Sequence, residues 1–264
     1  TMAVQLNHAG RKGSTGCHAI GFDGQSVPEE QGGWRTVCPS ANAYGSLARP
    51  RALSVDEIHT IVDQFRDAAW RAMNIGFDAV EVHAAHGYLL SQFLDPLINE
   101  RDDEYGGSFD NRVRMLVEVV DAIRSVVPDT MPVLVRVSAT DWAAGGWDLD
   151  QTVELAKILK AHGVDLIDVS TGGLIPDVTI PVKPDYQVPF AEQVRSRAGI
   201  PTTAVGLITK PKQAKKILKS GAADAIEIGR AALRDPNWPL RAAHKLGIPT
   251  EDAPYQPQYV RGAY

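Results

Sequence analysis

At 264 residues, with 44% hydrophobic and 22% charged side chains, the chain is long enough for one large α/β domain and ordinary in composition for a globular protein. Its 27 basic and 32 acidic residues give a net charge of -5 with no long basic block, which argues against nucleic acid as the main partner. No apolar run approaches the roughly 18 to 20 residues that a membrane span needs, and nothing near residue 1 reads as a targeting segment, so no membrane partner and a cytoplasmic location are expected.

Residues 2–6 are short and apolar and predict a strand. A Gly-, Ser- and Pro-rich stretch of roughly 45 residues follows, and loops that long in compact domains are usually functional. It holds Cys17 and Cys38, which make no CxxC pair and read as two free thiols. Ser54 and Glu57 match a capping box, and Ile58, Ile61, Val62, Phe65 and Ala69 recur at helical spacing up to Gly76. Residues 79–82 predict the next strand. Helical spacing returns in Val113, Leu116, Val117, Val120 and Ile123, before a strand over 132–137. A helix over 150–162 ends at Gly163, and a strand over 166–169, a helix near 189–197 and a strand over 202–205 follow. Thr209 is expected to cap a helix with Pro211 in its first turn, where a missing N–H costs nothing, and Gly221 to close it. Residues 225–228 predict the last strand, a helix spans 236–246, and the tail runs over 247–264.

Six short strands, read as apolar on both faces and separated by helices, predict a buried parallel sheet. An open doubly wound sheet should carry a Gly-rich nucleotide turn after its first strand, and the glycines after Leu6 open no helix. A (β/α)8 TIM barrel of about 250 residues fits better, with two strands short of closure. There is no internal repeat and no second domain, so residues 1–264 are expected to form a single barrel domain.

In such barrels the active site lies at the strand C-termini, with a phosphate commonly bound after the last two strands. The polar residues there fall into two groups. Gly206, Gly229 and Arg230, with Ser170, Thr171, Gly172 and Gly173, suit a phosphate: glycines let backbone N–H groups approach an anion, and arginine adds a bidentate cation. Gln5 with Asn7 and His8, the pair His83 and His86, and Arg136 form the other group. If the segment 83–88 turns helically, the two imidazoles share one side at i, i+3. They can bind zinc, donate to a substrate oxygen or satisfy each other. Zinc needs a further protein ligand, and no His, Cys or Glu presents itself at another strand end, so no metal is expected. Arg136 reads as a functional cation or as a core arginine paired with Asp168 or Glu81.

Several segments together resemble one family. Gln5-Leu6-Asn7-His8-Ala9-Gly10-Arg11, His83-Ala84-Ala85-His86-Gly87-Tyr88-Leu89 and Asp103-Glu104-Tyr105-Gly106-Gly107-Ser108 with Asn111-Arg112 are similar to signatures of the old yellow enzymes. So are Val135-Arg136-Val137-Ser138, Ala204-Val205-Gly206 and Ile228-Gly229-Arg230, in the same order and spacing. The ending Tyr259-Val260-Arg261-Gly262 resembles the bacterial thermophilic-like branch.

The resemblance implies an FMN-dependent ene-reductase that reduces the C=C bond of α,β-unsaturated carbonyl compounds by ping-pong hydride transfer, with NADPH or NADH as reductant. It implies that Gln5 and Arg136 hold the flavin ring, that Thr171, Gly172, Gly206, Gly229 and Arg230 hold its phosphate, and that His83 and His86 bind the carbonyl oxygen of enones and phenolic ligands. Tyr88 would be the proton donor, and Arg261 would reach a neighbouring subunit's site in a homo-oligomer. Against the family pattern, the chain would supply only the third to eighth strands. The first two β/α units would then be lacking and come from a companion chain. Alternatives are a non-catalytic flavin-binding fragment and a dienoyl-CoA-reductase-like barrel. The latter needs a cysteine-ligated iron–sulfur domain, for which two cysteines do not suffice.

Overall fold

The computed structural model describes residues 1–17 and 23–264. Strand β1 (Ala3–Leu6) is followed by the long loop, which contains 3-10 turns at Gly10–Lys12 and Glu29–Gln31 and two short parallel strands, β2 (Val37–Cys38) and β3 (Arg51–Ala52). Helix α1 (Val55–Asn74) starts where its capping box dictates: the Glu57 N–H donates to Ser54 Oγ at 3.2 Å, and Glu57 Oε2 accepts the Ser54 N–H at 2.9 Å. Ile58, Ile61, Phe65 and Ala69 form its buried stripe.

Then come β4 (Ala79–Ala84), α2 (Leu89–Leu94), α3 (Phe109–Arg124), β5 (Val133–Ser138), α4 (Leu149–Ala161) and β6 (Leu166–Ser170). They are followed by α5 (Val188–Ala198), β7 (Thr202–Ala204), α6 (Pro211–Ser220), β8 (Ala225–Ile226), α7 (Arg230–Arg234) and α8 (Trp238–Lys245). Cys17 and Cys38 are both free thiols. Among the described residues, no helix is long and apolar enough to cross a membrane.

One expectation here needs correction, and two helices were not anticipated. Helix α6 is capped by Lys210, not Thr209, and the Gln213 side chain accepts the N–H groups of both. The helix expected over 236–246 is α8, and the short helix α7 before it was not anticipated. Helix α2 was not anticipated, because all six of its residues are buried and so show no amphipathic alternation.

Six strands form one parallel sheet in the order β1-β4-β5-β6-β7-β8. Val80, Val82, Val133, Val135, Val137, Ile167 and Val169 join the helices in one apolar cluster. The alternate residues form a second row: Gln5, Glu81, His83, Arg136, Asp168, Ser170 and Thr203. The strands are therefore mainly apolar on the helix side, while the other face mixes this polar row with apolar residues such as Leu134 and Leu166, which corrects in part the expectation of two apolar faces. Successive side chains point to opposite faces, so a single strand such as Val135-Arg136-Val137 serves both the core and the site.

Candidate active site

The imidazole pair is built by a tight turn. His83 lies in β4, 5% exposed, and the chain then turns through His86 at φ +58° and Gly87 at φ +73°. That left-handed turn, rather than a helical one, brings the rings together, with centroids 5.1 Å apart and planes at 80°. A non-glycine residue in this region is uncommon and must be held there. The His86 N–H donates to Ser138 Oγ at 2.9 Å, and its carbonyl accepts from Lys12 Nζ at 2.9 Å.

The hydrogen bonds assign one direction through the pair. The Ala85 N–H reaches His83 Nδ1 at 3.3 Å, which makes that nitrogen the acceptor and leaves the proton on Nε2. His83 Nε2 then donates to His86 Nδ1 at 3.3 Å, and His86 Nε2 donates to Ser170 Oγ at 2.7 Å. Ser170 passes the chain to Gln187 Oε1 at 3.4 Å. Burial, then the nearby Arg136 charge, lowers the His83 pKa to about 4; the same causes, with His83 and Lys12 behind them, lower His86 to about 3. Both rings are neutral at physiological pH. The Tyr88 ring stands edge-on to His83, centroids 5.0 Å apart at 74°.

Arg136 faces His83 directly across the β4–β5 ladder. Its Nε lies 2.8 Å from Asp168 Oδ2, and its Nη2 lies 3.3 Å from Glu227. Of the two expected partners the guanidinium meets Asp168, while Glu81 takes a hydrogen bond from Gln5 Nε2. Gln5 is exposed because β1 is an edge strand.

At the ends of β7 and β8 a cavity of about 260 Å³ is lined by Gly206, Gly229 and Arg230, with Ser170, Tyr186, Gln187, Thr209 and Glu227 among its other walls. Gly206 has φ +123°, and a Cβ there would come within 3.0 Å of the Tyr186 ring. Thr171 and Gly172 do not line this cavity. Thr171 Oγ1 donates to Gln187 Oε1 at 2.7 Å, and the Gly172 N–H donates to the Thr140 carbonyl at 2.8 Å. Arg261, in the 3-10 turn Pro257–Gly262, lines a separate cavity with Tyr255, Tyr259 and Tyr264.

Four residues at the site escaped sequence reasoning. Lys12 bridges the carbonyls of His86 and Gly173, and its pKa is lowered to about 8 by burial and then Arg11. It sits in a loop, where no periodicity marks a side chain's direction. Tyr186 and Gln187 also follow irregular chain. Glu227 had a signal, since it is a charge between Ile226 and Ile228 in an apolar run.

The family model for the NADH:flavin oxidoreductase / NADH oxidase family matches residues 1–248. An NADPH dehydrogenase of Geobacillus thermodenitrificans is 45% identical over 262 residues, 99% of this chain and 70% of its own length. Among solved structures, a 2-naphthoyl-CoA reductase superposes with a TM-score of 0.80 at 26% identity, over 96% of this chain and 39% of its own. The old yellow enzyme homologue of Zymomonas mobilis superposes with a TM-score of 0.70 at 26% identity, over 98% of this chain and 72% of its own. The six-stranded sheet is thus the larger part of a TIM barrel, and the chain belongs to the NADH:flavin oxidoreductase / NADH oxidase family, the flavin enzymes that include the old yellow enzymes.

Proposed function

We propose that the chain carries the catalytic face of an NAD(P)H-dependent ene-reductase, which reduces the C=C bond of α,β-unsaturated carbonyl compounds in two alternating half-reactions. The observation that carries this reading is the neutral imidazole pair set across one strand ladder from Arg136. FMN is the family's cofactor, with NADH or NADPH as reductant. The residues present fit it: Gly206, Gly229 and Arg230 line the cavity at the ends of β7 and β8, a Cβ on Gly229 would meet only open space there, and Arg230 supplies a cation for a phosphate. When bound, FMN supplies the hydride chemistry, from the nicotinamide to the alkene.

The chain's own residues then bind and orient. Gly206, Gly229 and Arg230 hold the phosphate, with Thr171 and Gly172 behind them, and Gln5 and Arg136 hold the polar edge of the ring. His83 and His86 each donate one N–H to the substrate carbonyl oxygen: His86 Nε2 exchanges Ser170 Oγ for it, and His83 Nε2 turns to it from His86 Nδ1. The Tyr88 hydroxyl delivers the proton to the α-carbon. Arg261 serves the site of a second copy, and the strands that complete the barrel come from a companion segment.

The direct test is colour: yellow protein that bleaches with NADPH and recovers with cyclohexenone. Bleaching without recovery would favour a non-catalytic flavin-binding fragment. The double variant His83→Ala/His86→Ala is expected to weaken binding of a phenol at least about tenfold, the loss of one or two hydrogen bonds, with FMN retained. Unchanged phenol affinity contradicts the assignment. Tyr88→Phe should slow substrate reduction more than flavin reduction by NADPH, and equal slowing of both counts against it as the proton donor.

A further inference from the structure

Beneath the imidazoles lies a cluster that this reading leaves unexplained. Carboxyl oxygens of Glu81, Asp168 and Glu227 lie within 4.8 Å of one another, and Arg136 stands among them. If all three were ionised, one guanidinium would leave two negative charges uncompensated in a buried place, so the cluster retains a proton. Asp168 is its deepest member, 0% exposed. Its Oδ1 accepts from Thr203 Oγ1 at 2.7 Å, while its Oδ2 points into the cluster with no hydrogen-bond partner, because Arg136 Nε is near but out of line. Burial first, then Glu227, raises the Asp168 pKa; burial also raises Glu81 and Glu227. The charged and titratable groups facing the cluster are Arg136 from β5, Glu81 and His83 from β4, and Glu227 after β8. Arg136 supplies the cation that such carboxyls would otherwise draw from solution.

The hydrogen bond from Gln5 Nε2 to Glu81 Oε2 has a second consequence. A carboxylate can only accept, so Glu81 fixes which end of the Gln5 amide is nitrogen and which is the acceptor oxygen.

We propose that Glu81, Asp168 and Glu227 are positioning residues for the flavin: Glu81 aims the Gln5 amide, and Asp168 and Glu227, sharing a proton, clamp Arg136 so that its positive charge reaches the ring uncancelled. This rests on the reading of the site as an FMN site, and it adds three carboxyls that need not touch the cofactor.

The test measures FMN affinity by fluorescence quenching and flavin midpoint potential against pH, alongside the infrared spectrum of the flavin-free chain. Glu81→Leu is expected to weaken FMN about tenfold, the value of one buried hydrogen bond, and Glu81→Gln, which keeps an acceptor in place, to restore most of it. Asp168→Asn mimics the protonated acid. It should match the wild-type potential at neutral pH and stay above it at alkaline pH, where the wild-type carboxyl ionises. The wild-type chain should show a carboxylic-acid C=O band at neutral pH that Asp168→Asn removes, with Glu227→Gln as the second variant should the first fail to fold. Equal FMN affinity in Glu81→Leu and wild type overturns the aiming role. The missing infrared band, or an Asp168→Asn potential that differs at neutral pH and follows the wild-type profile, overturns the shared proton. A wild-type chain that takes up no FMN sinks the reading of the site and both positioning roles with it, whereas the infrared band tests the proton without flavin.

Discussion

Each imidazole of the pair has one nitrogen that accepts and one that donates, and the order runs from the Ala85 N–H through His83 and His86 to Ser170. An added proton would turn one acceptor into a donor facing another donor, next to Arg136. Burial above all, and then the Arg136 charge, makes both rings titrate far below the ordinary histidine, near 4 and 3. In the unfolded chain the same residues titrate at about 6.5. Between those values the unfolded state binds more protons, so the pair's contribution to stability is complete above about pH 6.5 and is lost as pH falls toward the folded values. Raised carboxyls such as Asp141 and Asp168 act in the opposite sense, so the comparison must be against a variant. In urea unfolding, the stability advantage of wild type over His83→Gln/His86→Gln is expected to shrink steadily from pH 7 to pH 4. An advantage that does not change with pH would mean that the rings are not held neutral.

The turns after β4 and β6 act as a unit because their backbones touch. A Cβ on Gly87 would lie 2.4 Å from the Gly173 carbonyl, and one on Gly173 would lie 2.8 Å from His86 Cα, with both glycines at positive φ. Gly173→Ala therefore meets backbone strain and a backbone clash together, and should destabilise by about 2–3 kcal/mol in denaturant titrations while weakening phenol binding through the displaced His86. Wild-type stability in this variant would show that the turns are free to separate. The same elements mark what the sequence could and could not carry. The α1 capping box and the polar strand ends were legible because each rests on local chemistry. The Asp103–Ser108 signature pointed to the family, yet its side chains brace the fold: Arg101 pairs with Asp103, and Arg112 donates to the carbonyls of Leu94 and Gly107. The left-handed route at His86 was not legible, because it is imposed by Ser138, Lys12 and Gly173 from distant parts of the chain. The pairing of Arg136 with Asp168 could be suspected from the sequence, but the full cluster could not, because Glu227 joins it only when the sheet brings the chain after β8 back toward β5 and β6.

At the scale of the whole molecule, the six strands of the main sheet run parallel, and among the described residues β1 pairs only with β4 and β8 only with β7. Unpaired strand edges expose N–H and C=O groups that bind other chains, and closed barrels remove them. The edge at β1 also leaves Gln5 exposed beside a cavity of about 300 Å³ lined by Leu6, His8, Ile61 and Phe65, so one proposed flavin contact stands on the least protected strand. A segment carrying two parallel β/α units, attached to this chain or on another, should therefore pair with both edges at once and stiffen Gln5. Hydrogen exchange is expected to slow at residues 3–6 and 225–228 when that segment is present, and FMN affinity to rise with it, because amide protection follows the free energy of local opening. The interior strands β5 and β6 are paired on both sides already and should change little. Protection gained at β1 alone would mean that the segment docks on one edge without closing the barrel, and unchanged exchange at both edges would refute the pairing altogether.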